Sequence, residues 1–213
     1  MTKTESLQKL QFVPLRTLEA PKQLRAQIRV DTILAATATL LAANPPHSVT
    51  ALQIAETAGV PVSSLYRYFP GVEDIFRELL EQTTGRIDAE IFGIFEDRDR
   101  FPTWRTRLSA TLNCLRRYFD EHPYYGTLMA LHIPQKLTSN KPNSITDYLA
   151  DYWAKGGDGF SGGDASIVAE ITMQVIIVVE NTLVSRGEVR QSGKYFKELE
   201  VNLESFLANY LRD

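Results

Sequence analysis

Between Val49 and Phe69 the chain reads VTALQIAETAGVPVSSLYRYF, and the order of residue types there permits few backbone paths. Thr50 followed three residues later by Gln53 is a capping box: the hydroxyl accepts from the Gln53 N–H while the carboxamide reaches back. Val49 and Ile54 stand at the two positions of a hydrophobic staple, which fixes the angle at which the chain enters the helix. The helix runs through Ala58 and stops at Gly59, the residue type that takes the left-handed conformation without a Cβ clash. Val60 turns inward, and Pro61 opens a second helix, where its missing N–H would have had no partner. Ala55 is small where the two helices cross, and Ile54, Val60, Leu65 and Phe69 supply the contacts. Two short helices around a Gly-centred turn make a helix-turn-helix, whose second helix has the size that enters a DNA major groove.

Almost every other segment also reads as helix. Residues 22–43 are rich in Ala and Leu, contain no Gly or Pro, and end at Asn44-Pro45-Pro46, which cannot continue a helix. Residues 72–95 form a long helix with Val72, Ile75, Phe76, Leu79 and Leu80, then Ile87, Ile91 and Ile94, as its apolar positions. Thr103–Phe119 follows, with Trp104, Leu108, Leu112, Leu115 and Phe119 on one stripe and His122-Pro123 as its stop. A short helix over Tyr124–Leu131 precedes a polar loop over His132–Asn143. Ile145–Lys155 is helical, and the GGDGFSGG run of residues 156–163 is a flexible loop. Asp164 caps a long helix to Ser185, and Lys194–Leu211 is the last. The β-branched run Val175–Val179 lies inside an apolar segment of helical length. The fold class is all-α, with roughly nine helices.

Composition narrows the function classes. With 44% hydrophobic and 23% charged residues the chain has what a folded core needs, which excludes disorder. The one cysteine, Cys114, excludes an internal disulfide, and no CxxC or Cys/His cluster is present to hold zinc, which points to a reducing compartment. The apolar stretch Ile167–Val184 is interrupted by Glu170, Gln174, Glu180 and Asn181 and does not read as a bilayer span. The first residues, MTKTESLQKLQF, lack the apolar run of a signal peptide, so cytoplasmic localisation is expected, with no membrane partner. His47, His122 and His132 are not spaced as metal ligands, and there is no GxSxG, phosphate loop or dinucleotide fingerprint. No catalytic residue, metal or cofactor is therefore assigned, and an enzyme is the third and weakest reading. The formal net charge of −3 is uneven: +1 over residues 1–20, +2 over 21–70 and −6 over the remainder. A mildly basic front and an acidic back suggest two parts with different partners.

From Ile33-Leu34 through IAETAGV (54–60) and SSLYRYF (63–69) to EDIFRELL (73–80), the sequence resembles, without gaps, the TetR family of one-component bacterial transcriptional regulators. The Tyr66-x-x-Phe69 core, followed by Pro70-Gly71 and the acidic pair Glu73-Asp74, is the most specific part. Beyond it the resemblance rests on the arrangement of helices. Three positions depart from the family pattern: Pro45 and Ser63 stand where Gly is common, and Val72 replaces a Lys that meets a DNA phosphate. The resemblance implies an N-terminal extension over 1–20, a three-helix DNA-binding head over 21–71, and a ligand-binding and dimerisation domain over 72–213. It also implies a dimeric, ligand-responsive repressor of a double-stranded DNA operator.

Carried onto this sequence, the recognition helix is about Val62–Phe69, and the DNA-contacting set is Thr50, Pro61, Val62, Ser63, Ser64, Tyr66, Arg67 and Tyr68. Arg67 is the cation of that helix and the candidate for a bidentate guanine contact. Ser63 and Ser64 suit base edges or phosphates, Tyr66 and Tyr68 suit phosphate or thymine methyl groups, and Thr50 would meet a phosphate through its backbone N–H. Lys22, Arg25 and Arg29, at helical spacing, would add non-specific attraction, or form a merely solvated face. Trp104, Asn113, Tyr118, Tyr124, Tyr125, Met129, Trp153 and Met173 are candidates to line a pocket for an apolar or aromatic small-molecule effector, with ordinary core as the alternative for each. No charged residue stands out inside an apolar stripe, so a strongly ionic ligand is not expected. The last two helices would pair with their copies in a homodimer as a four-helix bundle, burying Val175–Val179 on all sides. Two heads would then meet palindromic half-sites about 34 Å, or a multiple, apart. The alternative is a DNA-bound interaction module whose C-terminal domain docks a protein partner.

Overall fold

The computed structural model describes residues 20–136, 145–187 and 191–212. The expected N-terminal extension lies outside these, apart from Ala20, as do residues 137–143 of the expected polar loop and the side chain of Lys22. Nine α-helices make up the described chain, and no strand is present among the described residues. They are α1 (Ala20–Ala43), α2 (Ala51–Thr57), α3 (Val62–Tyr68), α4 (Val72–Glu96), α5 (Trp104–Glu121), α6 (Pro123–Lys136), α7 (Ile145–Ala154), α8 (Ala165–Ser185) and α9 (Ser192–Leu207).

The local chemistry at the helix ends follows the sequence closely. The Thr50 N–H donates to Gln53 Oε1 at 2.9 Å and the Gln53 N–H donates to Thr50 Oγ1 at 3.3 Å, closing the box that starts α2. Gly59 sits at φ +64° between α2 and α3, with open space where a Cβ would stand. Its turn is held by the Val60 N–H donating to Ala55 O at 2.9 Å. Pro61 differs from expectation by one position. With ψ 142° it is the extended residue before the helix, and α3 starts at Val62. Asp164 Oδ1 accepts from the Ser166 hydroxyl and from the N–H groups of Ile167 and Ser166 at the start of α8, and these bonds, the hydroxyl's first, hold its carboxyl below the usual carboxylate range.

Helices α1–α3 and the first turns of α4 enclose one end of the core, where Ile33, Leu34, Ile54, Leu65, Phe69, Ile75 and Phe76 are buried. The rest of α4 passes into a second bundle, packing on α5, α6 and α7, while α7 and α6 lie on α8 and α5 lies on α9. By length and composition α1 (from Leu24) and α8 could each cross a membrane. Each packs one side into the protein: α1 buries Ile33, Leu34 and Leu41, and α8 buries Val168, Ala169, Ile176 and Leu183.

Three expectations change. Helix α6 continues past Leu131 to Lys136 with Pro134 inside it, where a loop is expected from His132. Helix α9 starts two residues earlier than Lys194 and ends at Leu207. The GGDGFSGG run is a fixed turn that the body is built around. Asp158, at φ 54°, turns its carboxylate inward to pair with Arg107, the two side chains being 3% and 2% exposed. The Tyr152 hydroxyl donates to the same carboxylate at 2.9 Å and accepts from Arg98 at 2.6 Å. The Arg212 N–H bonds to Asp158 O at 2.8 Å and the Ser161 N–H to Tyr210 O at 2.9 Å, so the turn also holds the chain beyond α9. A Cβ on Gly157 would lie 2.5 Å from the Tyr152 ring, which is why no larger residue fits there. Arg107 and Asp158 correct the expectation that no charge is buried among the apolar stripes. Glu180 of α8, at 3% exposure, is another such residue.

Two stability outcomes follow. Asp158→Ala leaves the Arg107 guanidinium buried without its anion and should lower the unfolding free energy by about 3–5 kcal/mol in urea titration. A loss under about 1 kcal/mol would mean that the pair does not hold the turn. Gly59→Ala meets no neighbour, so its cost is the left-handed backbone alone, about 1–2 kcal/mol.

Candidate DNA-reading head and ligand cavity

Leu65 and Phe69 anchor α3 to the core at 0% and 6% exposure, and that anchoring decides which residues of the helix face outward. Pro61, Ser63, Tyr66 and Arg67 are exposed, and Ser64 and Tyr68 are half-buried. Arg67 Nη2 donates to the Tyr68 hydroxyl at 3.0 Å, and its guanidinium lies 5.1 Å from the centroid of the Tyr68 ring. The cation is thus held near the surface by its neighbour and stays accessible. Tyr66 is 53% exposed with its ring toward solvent. Two of the residues expected at DNA also have partners within the head. Val62 packs half-buried against the core, so its side chain serves the head's interior. The Thr50 N–H is taken by Gln53, so a phosphate contact through it would break the capping box. On α1, Arg25 and Arg29 are exposed, together with Leu24 and Ile28, each 56% exposed, an apolar pair that the sequence reading missed.

In the body, the expected ligand residues divide. Trp104 of α5, Trp153 of α7 and Met173 of α8 line one apolar cavity, with Leu108, Thr111 and Asp158 also in its wall. The void is about 40 Å³, room for a few waters at most. Both indoles are 3% exposed, and neither Nε1–H has a hydrogen-bond partner; nor does the Thr111 hydroxyl. A buried donor left empty costs about 1–3 kcal/mol, so this wall is not optimised for stability alone. Thr111 lay within reach of sequence reading. It continues the Trp104–Leu108 face of α5 at the i, i+4, i+7 spacing.

The other five expected ligand residues lie elsewhere. The Tyr124 hydroxyl is 3.1 Å from Thr83 Oγ1 and ties α6 to α4. Tyr125 is core: burial first, then the charge of Glu180, raises its phenol well above the usual range. Met129 is buried in the same cluster. Tyr118 is half-buried at the surface beside His122, 5.4 Å between ring centroids. Asn113 is exposed, donates to Ser109 O at 2.9 Å, and borders an open groove between α4 and α5. At the floor of that groove, burial pushes the Cys114 thiol up to about 12, which keeps it protonated and unreactive.

Helix α8 also carries an outward stripe. Ile167, Ile171 and Val178 are 53%, 41% and 59% exposed, and Val201 of α9 is 56% exposed. Burial of Val175–Val179 on all sides is therefore not met within one chain.

A family profile described as bacterial regulatory proteins, tetR family, matches residues 33–79, which run from the buried part of α1 to the first turns of α4. No curated protein sequence gives a significant match. Several solved structures share the fold. The fatty acid degradation regulator FadR from Bacillus halodurans superposes with a TM-score of 0.63 at 18% identity, covering 81% of this chain and 94% of its own. A TetR-family transcriptional regulator from Streptomyces coelicolor gives 0.62 at 19% identity, covering 86% and 99%. A TetR-family regulator from Agrobacterium tumefaciens gives 0.61 at 17% identity, covering 83% and 97%. TetR-family regulators are non-enzymatic DNA-binding transcription factors. The tetR-family profile thus falls on the helix-turn-helix and the helices that flank it, and the described helices are arranged as in these regulators.

Proposed function

We propose that the protein is a homodimeric, ligand-responsive repressor that reads a palindromic operator in the cytoplasm, with residues 21–71 as the reading head and 72–213 as the effector and dimer domain. The observation that carries this reading is the division of α3. Leu65 and Phe69 are locked in the core, while Ser63, Tyr66 and Arg67 stand outward from one short helix. An exposed Arg between two tyrosines has donors and ring faces suited to base edges and phosphates. Arg25 and Arg29 on α1 supply phosphate attraction that depends on salt and not on sequence.

The α8 stripe supports dimerisation. Ile167, Ile171 and Val178 are exposed at helical spacing on α8, and Val201 is exposed on α9. Pairing α8 and α9 with their copies would bury that face in a four-helix bundle and set two heads for successive grooves. The Bacillus halodurans neighbour regulates fatty acid degradation. An effector with a long apolar body suits the mainly apolar cavity of this chain as well. Binding in the cavity would enlarge it, displace α4 and misplace the heads. A coupling of about 1–3 kcal/mol, or 5–150-fold in affinity, is enough.

Selection of DNA from a random pool by the purified protein, repeated with Arg67→Ala and at two salt concentrations, tests the head. A palindrome should emerge, and the variant should lose one base preference, a discrimination of about 1–3 kcal/mol. Weak, steeply salt-dependent, sequence-blind binding would overturn the reading. Val178→Asp tests the dimer: sedimentation should show a monomer that remains helical, with operator affinity reduced at least tenfold because two half-sites are no longer bound together. A variant that stays dimeric would assign the stripe to another protein and favour the interaction-module alternative.

A further inference from the structure

We infer that the α5–α7–α8 cavity selects a neutral, mainly apolar molecule bearing hydrogen-bond-accepting oxygens, such as a ketone, ester or lactone, which Trp104, Thr111 and Trp153 bind as donors. This rests on the reading of that cavity as the effector site and names the chemistry the site takes.

The argument is an accounting of donors and acceptors in the wall. An indole N–H can only donate, and buried donors in folded proteins almost always have partners. Here the indole N–H groups of both lining tryptophans have no partner within the protein, and neither has the hydroxyl of the lining Thr111. The other hydroxyl in the wall, Thr172, already donates to Val168 O at 2.7 Å. The remaining polar group, the Asp158 carboxylate, is occupied by Arg107 and by the Tyr152 hydroxyl. What this wall lacks is acceptors, and a ligand has to bring them.

Charge decides between the kinds of acceptor. Asp158 is the one charged residue among the described lining residues, and no cation is among them. The charge of Asp158 is already matched by Arg107, so a carboxylate ligand would bury its own charge with no free cation in the wall, whereas a carbonyl or ester oxygen fills the donors without that penalty. Spacing adds a length requirement. Trp104 and Thr111 are seven residues apart on one face of α5, which sets their backbone positions about 10 Å apart along the helix with Leu108 between. Two acceptors on an extended apolar body, or one acceptor near either end, match that wall. The void of about 40 Å³ is smaller than such a molecule, so binding displaces side chains. Met173, unbranched and half-buried, is the wall residue best able to move.

Both tryptophans of the chain lie in this wall, so intrinsic fluorescence reports on the site without a label. Titration of the full-length protein compares 2-nonanone, nonanoate at pH 8 and nonane at matched free concentrations. The expected result is saturable binding of 2-nonanone roughly tenfold tighter than nonane, with nonanoate the weakest, and emission shifting to longer wavelength as an indole N–H gains an acceptor. Trp104→Phe and Thr111→Val should each cut the preference for ketone over alkane several-fold while nonane affinity holds. Thr111→Val is nearly isosteric at a half-buried site, so it carries the test if Trp104→Phe fails to fold, as judged by circular dichroism. Nonane binding as tightly as the ketone would mean that water keeps the donors satisfied, and nonanoate binding tightest would mean that a cation reaches the site. Either overturns the inference and leaves the effector site standing. Saturable binding by none of the three overturns both.

Discussion

Helix α4 sets Ile75, Phe76 and Leu79 into the core of the head and Ile87, Ile91 and Ile94 into the core of the body, on one unbroken run of 25 residues. At 1.5 Å per residue that is about 37 Å of continuous hydrogen-bonded backbone, so neither end can tilt without the other. Midway along it the Thr83 hydroxyl donates to Leu79 O and meets the Tyr124 hydroxyl, linking the helix to α6 where head and body join. Helix α1 touches α6 as well, which gives the head a second seat on the body. With packing on both sides of the joint, a tilt of about 5° in the body carries through to a displacement of about 3 Å at the far end of the helix. Such a shift spoils the fit of a recognition helix to base edges while every local contact in the head survives.

A buried ion pair organises the other end of the molecule. Arg107 of α5 and Asp158 of the glycine-rich turn are far apart in sequence, and their pairing brings α5, the turn after α7 and the residues beyond α9 to one place. Replacing such a pair by apolar residues is often neutral or stabilising, so its value here is positional. Burying two complementary charges allows one register of the turn and penalises every other. The same carboxylate stands in the wall of the cavity, so the register of the turn also fixes the polarity of the site.

What sequence reading captured was chemistry that completes itself within a few residues. The Thr50–Gln53 box, the left-handed Gly59 turn and the Asp164 cap each involve neighbours five or fewer positions away, and each stands where the residue order places it. The misses have the opposite character. GGDGFSGG reads as flexible because glycine removes restraint from a chain taken alone, yet Gly157 lacks a side chain because the Tyr152 ring occupies the space. Asp158 and Arg107 give no sign of each other, since nothing in either neighbourhood marks a buried charge. Among the aromatic candidates, Trp104 and Trp153 meet in a cavity while Tyr124 and Tyr125 fill core. All four are large and amphipathic, and only the tertiary packing around them separates a wall from a filling. Val178 shows the same limit from outside. Its apolar surroundings in sequence imply burial, and a single chain leaves it at the surface.

In the proposed homodimer, that exposed stripe on α8 would tie the behaviour of the protein to its own abundance. A face that is covered only by a second copy makes assembly a question of dilution. When copies are scarce, the occupied fraction of any site needing two heads rises with more than the first power of concentration, and it levels off once pairing is complete. A modest change in synthesis or turnover then crosses a threshold that one head, binding alone, would pass through gradually.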